Sequence, residues 1–345
     1  MTAESADTKR GADAAVLQRA LDELVADGAP GALAELRDEN GTWSVSSGVA
    51  ERGTRRPVDP AGWFRIGSVT KAFVATVILQ FVSEGKLGLD DTVERWLPGI
   101  VPGGADITVH HLLDHTSRLY NYTRELIPER IIRERHRQWA PHEIVVRATS
   151  YQPDFRPGTG RAYNNTAFIL LGMVLEKVGR RPYGEQIENR ILHPLGLRQT
   201  LVRDDSEHLP EPHAHAYLAV DGELIDTTEY NPSTAGAAGC MVSTAADLNS
   251  FFAALLTGDL LSPAELQEMT TAIATGTPGV DGGLGITRYT LPDGVTVWGK
   301  DGGFHGYQTW SFHTRDTRRQ LTVSMTTAFN DRPATDDLLA RIFGQ

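Results

Sequence analysis

The sequence predicts an α+β fold: one antiparallel sheet built from both chain ends, flanked by helices, with a mainly helical domain inserted between them. Three observations predict it. Strand-like alternation is confined to the two ends, in 30–51 and again from 285 to 327. The middle is a series of helical patterns broken by Pro and Gly, as in "LPGIVPGG", "FRPGTG" and "HPLGL". A long apolar helix, about 68–84, closes the first strand-bearing part. Segregation of strands and helices along a chain is the α+β pattern. The predicted division is 1–85 with 237–345 for the sheet domain and 86–236 for the helical one. A cleft is expected where they meet, the usual place for a site.

Taken in order, 13–27 carries Val16, Leu17, Ala20, Leu21, Leu24 and Val25 at helical spacing. Asp13 is its cap and Gly28 its stop. Residues 30–51 alternate around Glu39-Asn40-Gly41, which predicts a hairpin. "RRPVDPAGWF" is loop. The helix over 68–84 buries Phe73, Val74, Val77, Ile78, Phe81 and Val82, and Gly85 ends it. Further helices are expected at 92–97, 108–115, 124–137, 141–149, 164–178, 183–191, 244–256 and 262–273. Strands are expected at 285–290, 295–299, 307–313 and 320–327, with turns at "LPDG" and "TRDTRR". A last helix runs about 334–343.

Composition excludes several functions. The 345 residues are 40% hydrophobic, ample for a large core. The net charge of −11 argues against a nucleic-acid surface. The basic runs at 130–137 and Arg318-Arg319 are short and read as a solvated helix face and a hairpin tip. The single cysteine, Cys240, excludes an internal disulfide and a cysteine metal site, and its apolar context reads as buried filler. His110-His111 and His213-Ala214-His215 lack the H-E-x-x-H spacing, so no metal is expected. No G-x-G-x-x-G or P-loop is present, and no cofactor is expected. No apolar run suits a signal segment or a membrane span. The expected location is cytoplasmic, or secreted if a leader has been removed. The oligomeric state is left open.

Three short stretches carry chemistry. In "WFRIGSVTKAF", Ser68 and Lys71 stand at i and i+3 of a helix start and face the same way. A serine there keeps its own N–H free of helical partners, available to a developing oxyanion. Lys71 can take the hydroxyl proton if burial and a nearby cation lower its pKa. In "GTGRAYNNTAF", Tyr163 offers a proton shuttle and Asn165 an amide to hold a substrate carbonyl. In "VWGKDGGF", Lys300 supplies the cation, and Gly302 and Gly303 let a substrate lie against the strand edge. Each alone also fits a cap or a turn. An S-x-x-K, a polar S-D-N-like element and a K-T-G element in that order form one catalytic set, and the three stretches here follow that order.

With those elements the chain resembles the serine penicillin-recognising enzymes, in the class C β-lactamase / D-alanyl-D-alanine carboxypeptidase branch. Phrases such as "LQFVSEGKLGLDDTV", "ITVHHLLDHTS", "LGMVLEKVGRRPY" and "AAGCMVSTAADLNSFF" extend the resemblance over almost the whole chain. It implies a β-lactamase/transpeptidase-like fold. It implies Ser68 as acylated nucleophile, Lys71 as its base and Tyr163 as proton carrier for the leaving group. Asn165, Lys300, Asp301 and Gly302 would bind substrate, and the N–H groups of Ser68 and Gly303 would form the oxyanion hole. The expected function is a serine acyl-enzyme hydrolase or acyltransferase acting on an amide or ester. Its partners would be a small-molecule or peptide acyl donor and water or an amine as acceptor. Alternatives are an amide-forming acyltransferase or transpeptidase, a β-lactamase, and a non-catalytic binding module on the same fold.

Three positions depart from the family pattern. Asp301 stands where a hydroxyl residue is usual, and it would repel a substrate carboxylate. Thr287 stands where the carboxypeptidases have an arginine, with Arg288 one residue later. Arg118, in "HTSRLYNY", replaces a glycine. Asp301 and Thr287 together imply a preference for substrates without a free C-terminal carboxylate.

Overall fold

The computed structural model describes residues 3–326 and 333–344. Eight strands form its central sheet: β1 (Gly31–Asp38), β2 (Gly41–Gly48), β3 (Ile273–Ala274), β4 (Val280–Gly282), β5 (Thr287–Thr290), β6 (Thr296–Phe304), β7 (Tyr307–Thr314) and β8 (Gln320–Thr326). Their spatial order is β2-β1-β8-β7-β6-β5-β4-β3, and the pairs are antiparallel. The N-terminal hairpin joins the last strand, with Ala34 opposite Val323 and Leu36 opposite Leu321. Both chain ends therefore make one sheet. Thr327, the last residue of the predicted final strand, lies outside the described residues.

Five helices frame the core and the site: α1 (Ala3–Ala26), α2 (Thr70–Ser83), α3 (Asn165–Gly179), α4 (Ala245–Thr257) and α5 (Pro333–Phe343). Alternation along the strands sends side chains to two faces. On the outer face Ala34, Leu36, Phe312 and Val323 pack with Leu17 and Leu21 of α1 and Leu338 and Ile342 of α5. The inner face carries Thr309, Ser311, His313 and Thr322, all buried. The Ser311 and Thr322 hydroxyls meet at 2.7 Å, and Thr322 Oγ1 donates to Asn249 Oδ1 of α4 at 2.8 Å. Buried polar groups must be paired in this way.

The helix expected to bury one side is buried on nearly every side. Thr70 through Leu79 of α2 are all buried, Lys71 among them. A helix apolar all round is the signature of a central one. It packs against α3 and against the helix Pro263–Thr270.

Several expectations are corrected. The 124–137 helix is a 3-10 turn, Tyr122–Glu125, then a short helix, Pro128–Arg133. Pro128 forces the break, because the residue before proline is pushed out of the helical region, and Ile127 is extended at ψ 155°. Arg130 is not on a solvated face. It is buried between Glu125 and Glu134 at 2.9 and 3.2 Å. The middle also holds a hairpin, Tyr217–Val220 with Glu223–Asp226. Its Asp221-Gly222 turn has φ 51° and 83°, the two positive angles of a hairpin turn. Strand β6 runs on from 299 to Phe304, through the glycines. The short strands β3 and β4 were not expected. Among the described residues no helix is long and apolar enough to cross a membrane.

Candidate active site

The site begins where α2 begins. Ser68 sits in a 3-10 turn, Gly67–Val69, that leads into α2. The Ile66 N–H donates to Met241 O at 3.1 Å, which ties the turn to the chain before α4. Gly67 has φ +49°, a conformation glycine adopts without strain. A Cβ on Gly67 would lie 2.8 Å from Gly303 N, and one on Gly302 would lie 2.8 Å from Ser68 N. Both glycines are needed for β6 to lie this close to the helix start. Their contact sets the backbone of Gly303 beside that of Ser68.

Polar atoms then converge on one oxygen. Lys71 Nζ donates to Ser68 Oγ at 2.9 Å, and Tyr163 Oη donates to the same oxygen at 2.7 Å. Lys71 Nζ also donates to Asn165 Oδ1 at 2.8 Å and to Ala238 O at 2.6 Å. Lys71 is fully buried. Burial holds its pKa below the usual lysine range, and the charge of Lys300 pushes the same way. Tyr163 is 39% exposed and opens on the cleft. Burial of its hydroxyl end would raise the phenol, but the charges of Lys71 and Lys300 outweigh it and hold the pKa below the usual value.

Tyr163 and Asn165 enter from the turn before α3. Asn164 caps that helix, its Oδ1 accepting the Ala167 N–H at 2.9 Å. Asn165 Oδ1 is occupied by Lys71, while Nδ2 donates to Thr123 Oγ1 at 3.2 Å and Asn121 Oδ1 at 3.4 Å. Asn165 therefore orients Lys71 as well as presenting an amide to the cleft. Asn121 and Thr123 went unnoticed in the sequence, because they meet Asn165 across more than forty residues with no local spacing rule.

His115 is a second omission. It is buried at φ +67°, and its Nδ1 accepts the Asn164 N–H at 3.2 Å. Its ring lies 4.6 Å from that of Tyr163. Burial, with the charges of Arg161, Lys71 and Lys300, holds it well below the usual histidine range, so it backs Tyr163 as a neutral ring. Only the phrase "LLDHTS" signalled it.

Lys300 is buried, 5.5 Å from the centre of the Tyr163 ring. Its Nζ donates to Asp301 Oδ1 at 2.6 Å. Burial would lower Lys300, but that carboxylate holds it above the usual lysine range. The other flagged residues stand apart. Thr287 is buried and pairs with Gly299. Arg288 is held by Asp281 at 2.6 Å. Arg118 takes φ +70°, the glycine-favoured region, and reaches toward Pro102 O at 3.5 Å. His110 pairs with Asp114, and His215 with Asp226. Cys240 is buried, its thiol pushed up to about 12 by that burial.

Beside Ser68 lies a cavity of about 270 Å³. Asn165, Gly239 and Gly303 border it near the serine, and Leu126, Ile131 and Phe304 form its apolar wall. The whole arrangement offers a hydroxyl, two proton-carrying groups within transfer distance, and the backbone of Ser68 at a helix start with that of Gly303 in β6 beside it.

Residues 17–344 match the Beta-lactamase family. A D-stereospecific amidohydrolase from Streptomyces sp. superposes with a TM-score of 0.89 at 40% identity, covering 96% of this chain and 99% of that one. The D-amino acid amidase from Ochrobactrum anthropi SV3, solved with L-phenylalanine amide, gives 0.84 at 29% identity, covering 95% and 97%. Penicillin-binding protein 4* of Bacillus subtilis is 28% identical over 80% of this chain, which spans 63% of that protein's length. A match over nearly the full chain, on a fold that brings Ser68, Lys71 and Tyr163 together, makes this chain a member of the beta-lactamase family.

Proposed function

We propose that this chain is a serine hydrolase that opens amides or esters through a covalent ester on Ser68, with D-amino-acid amides, esters or short peptides as acyl donors. One observation carries the mechanism: Lys71 Nζ and Tyr163 Oη lie 2.9 and 2.7 Å from a single serine oxygen at a helix start. In this reading Ser68 Oγ bonds to the acyl carbon as its proton passes to the lysine–tyrosine pair. A lysine of lowered pKa is suited to that step. Tyr163 returns the proton to the leaving nitrogen or oxygen as that bond breaks. The negative charge on the acyl oxygen is held by the N–H groups of Ser68 and Gly303. Water then attacks the ester carbon, its proton leaves by the same route, and Ser68 is restored. An amine in place of water would give transfer.

The cavity bordered by Leu126, Ile131 and Phe304 suits a bulky apolar acyl side chain. The preference for D-amino-acid donors is supported by the Streptomyces and Ochrobactrum proteins, which share the fold over nearly their whole length. The proposed domain division, 1–85 with 237–345 against 86–236, places Ser68 and Lys300 on one side of the cleft and Tyr163 on the other.

A fluorophosphonate probe followed by peptide mass mapping tests the nucleophile. The adduct is expected on Ser68, and Ser68→Ala should neither label nor turn over D-phenylalanine amide. Labelling elsewhere, or near wild-type turnover by Ser68→Ala, would sink the reading. Running D- and L-phenylalanine amide in parallel tests the stereochemistry.

A further inference from the structure

The two sides of Ser68 differ in chemistry. The apolar cavity lies on one side and is bordered by Asn165, Gly239 and Gly303. Tyr163, Lys300 and Asp301 take no part in it and cluster among themselves: Lys300 Nζ is 5.5 Å from the Tyr163 ring and 2.6 Å from Asp301 Oδ1. If Tyr163 hands a proton to the departing atom, the leaving group sits on that side. The strand edge there is open. β6 pairs with β5 through Thr296–Gly299, and among the described residues no strand neighbours that edge from Lys300 to Phe304.

Two cations on this side already carry ion pairs. Lys300 is countered by Asp301. Arg288 is countered by Asp281 at 2.6 Å and lies 5.8 Å from the Trp298 ring. Arg161 packs against Gly282 and feels the charges of Asp114 and Asp281. Thr287 is neutral and buried. A carboxylate arriving with the leaving group meets Asp301, whose partner Lys300 is already engaged at 2.6 Å. The Asp301 side chain is only 32% exposed, so water screens that repulsion incompletely.

Resting on the acyl-enzyme reading above, we propose that Asp301 selects the leaving group by charge. It turns away leaving groups that carry a carboxylate beside the scissile nitrogen or oxygen, and it admits ammonia, amines and neutral alcohols. Free dipeptides and penicillins, whose carboxylate lies on the leaving-nitrogen side, fall in the rejected class. Amides, esters and peptides with a masked C-terminus fall in the admitted one.

Matched aryl esters test this without relying on the D-amino-acid preference. The 3-carboxyphenyl and 3-carbamoylphenyl esters of one acyl group differ at the leaving group almost only in charge. Each kcat/KM is divided by the ester's hydroxide-catalysed rate to remove intrinsic reactivity. The wild type should favour the carbamoyl ester by about ten- to hundredfold, on the order expected for two like charges at short range. Asp301→Asn should shrink that ratio to within about threefold, and Asp301→Glu should retain most of it. A change in Lys71 alters both esters equally and leaves the ratio alone. An unselective wild type, or an unchanged ratio in Asp301→Asn, overturns the inference and leaves the acyl-enzyme reading standing. Failure of both esters to acylate Ser68 overturns that reading and the inference with it.

Discussion

At the scale of single residues, the buried ammonium of Lys71 decides the pH behaviour. It is fully buried against Ser68, Asn165 and Ala238, with Lys300 and Tyr163 close by. Removal from water lowers its pKa, the charge of Lys300 lowers it further, and Asp301 raises it. The acid limb of kcat/KM should therefore fall below the ordinary lysine value and belong to the coupled Lys71–Tyr163 pair rather than to either group. Neighbouring charges move that limb in opposite directions. Lys300→Met removes a cation that disfavours protonated Lys71 and favours ionised Tyr163, so the limb should move up. Asp301→Asn removes an anion that favours protonated Lys71, so its limb should move down. A pH series on a neutral ester checks both signs. Shifts in the same direction in the two variants would rule out this electrostatic coupling.

At the scale of elements, the site depends on how closely β6 approaches the start of α2. Gly302 and Gly67 permit that approach. A methyl at Gly302 would collide with the Ile66 carbonyl and come within 2.8 Å of Ser68 N. Neither neighbour is a flexible side-chain end, so the strand must move. Gly302→Ala should lower kcat by at least ~100-fold, the penalty for displacing a catalytic group by about 1 Å. It should also lower Tm by several degrees while leaving the far-UV CD spectrum native. Near-normal kcat would show that the two backbones are not required to touch. This contact also marks the limit of sequence reading. Ser68, Lys71 and Tyr163 were legible because short local spacings carry them. The sheet from both chain ends was legible from period-two alternation. The extension of β6 was not, since glycine has no side chain to alternate and scores poorly as strand. Asn121, Thr123 and His115 were hidden because their partners lie far away in sequence. The break at Pro128 was readable in principle, and the apolar spacing on either side of it masked it.

At the scale of the whole molecule, the inner face of the sheet carries a stability switch in the acid range. His313 is fully buried, 5.0 Å from the Phe252 ring, with Nε2 3.0 Å from Ser311 Oγ. His305, beside the cavity, lies 4.3 Å from the Tyr230 ring. Burial, with a neighbouring arginine charge in each case, lowers both to about 3 from the usual 6.5. His115 is held low by burial in the same way, so between those values the unfolded chain binds three protons that the folded chain does not. Stability is therefore fully present above pH 6.5 and declines as the pH falls toward 3. Three protons correspond to a slope of about 4 kcal/mol per pH unit where all are fully taken up. The effect dominates between about pH 6 and 5, because paired carboxylates such as Glu84, held down to about 2 mainly by its hydrogen bonds from Arg190, begin to contribute only as the pH nears the usual carboxylate range. Urea unfolding across that range should show the decline. His313→Gln, which removes one titrating ring of three, should be less stable at pH 7 but lose about a third of the slope. A flat profile, or an unchanged slope in the variant, would mean that the sheet accepts a charged ring at this position.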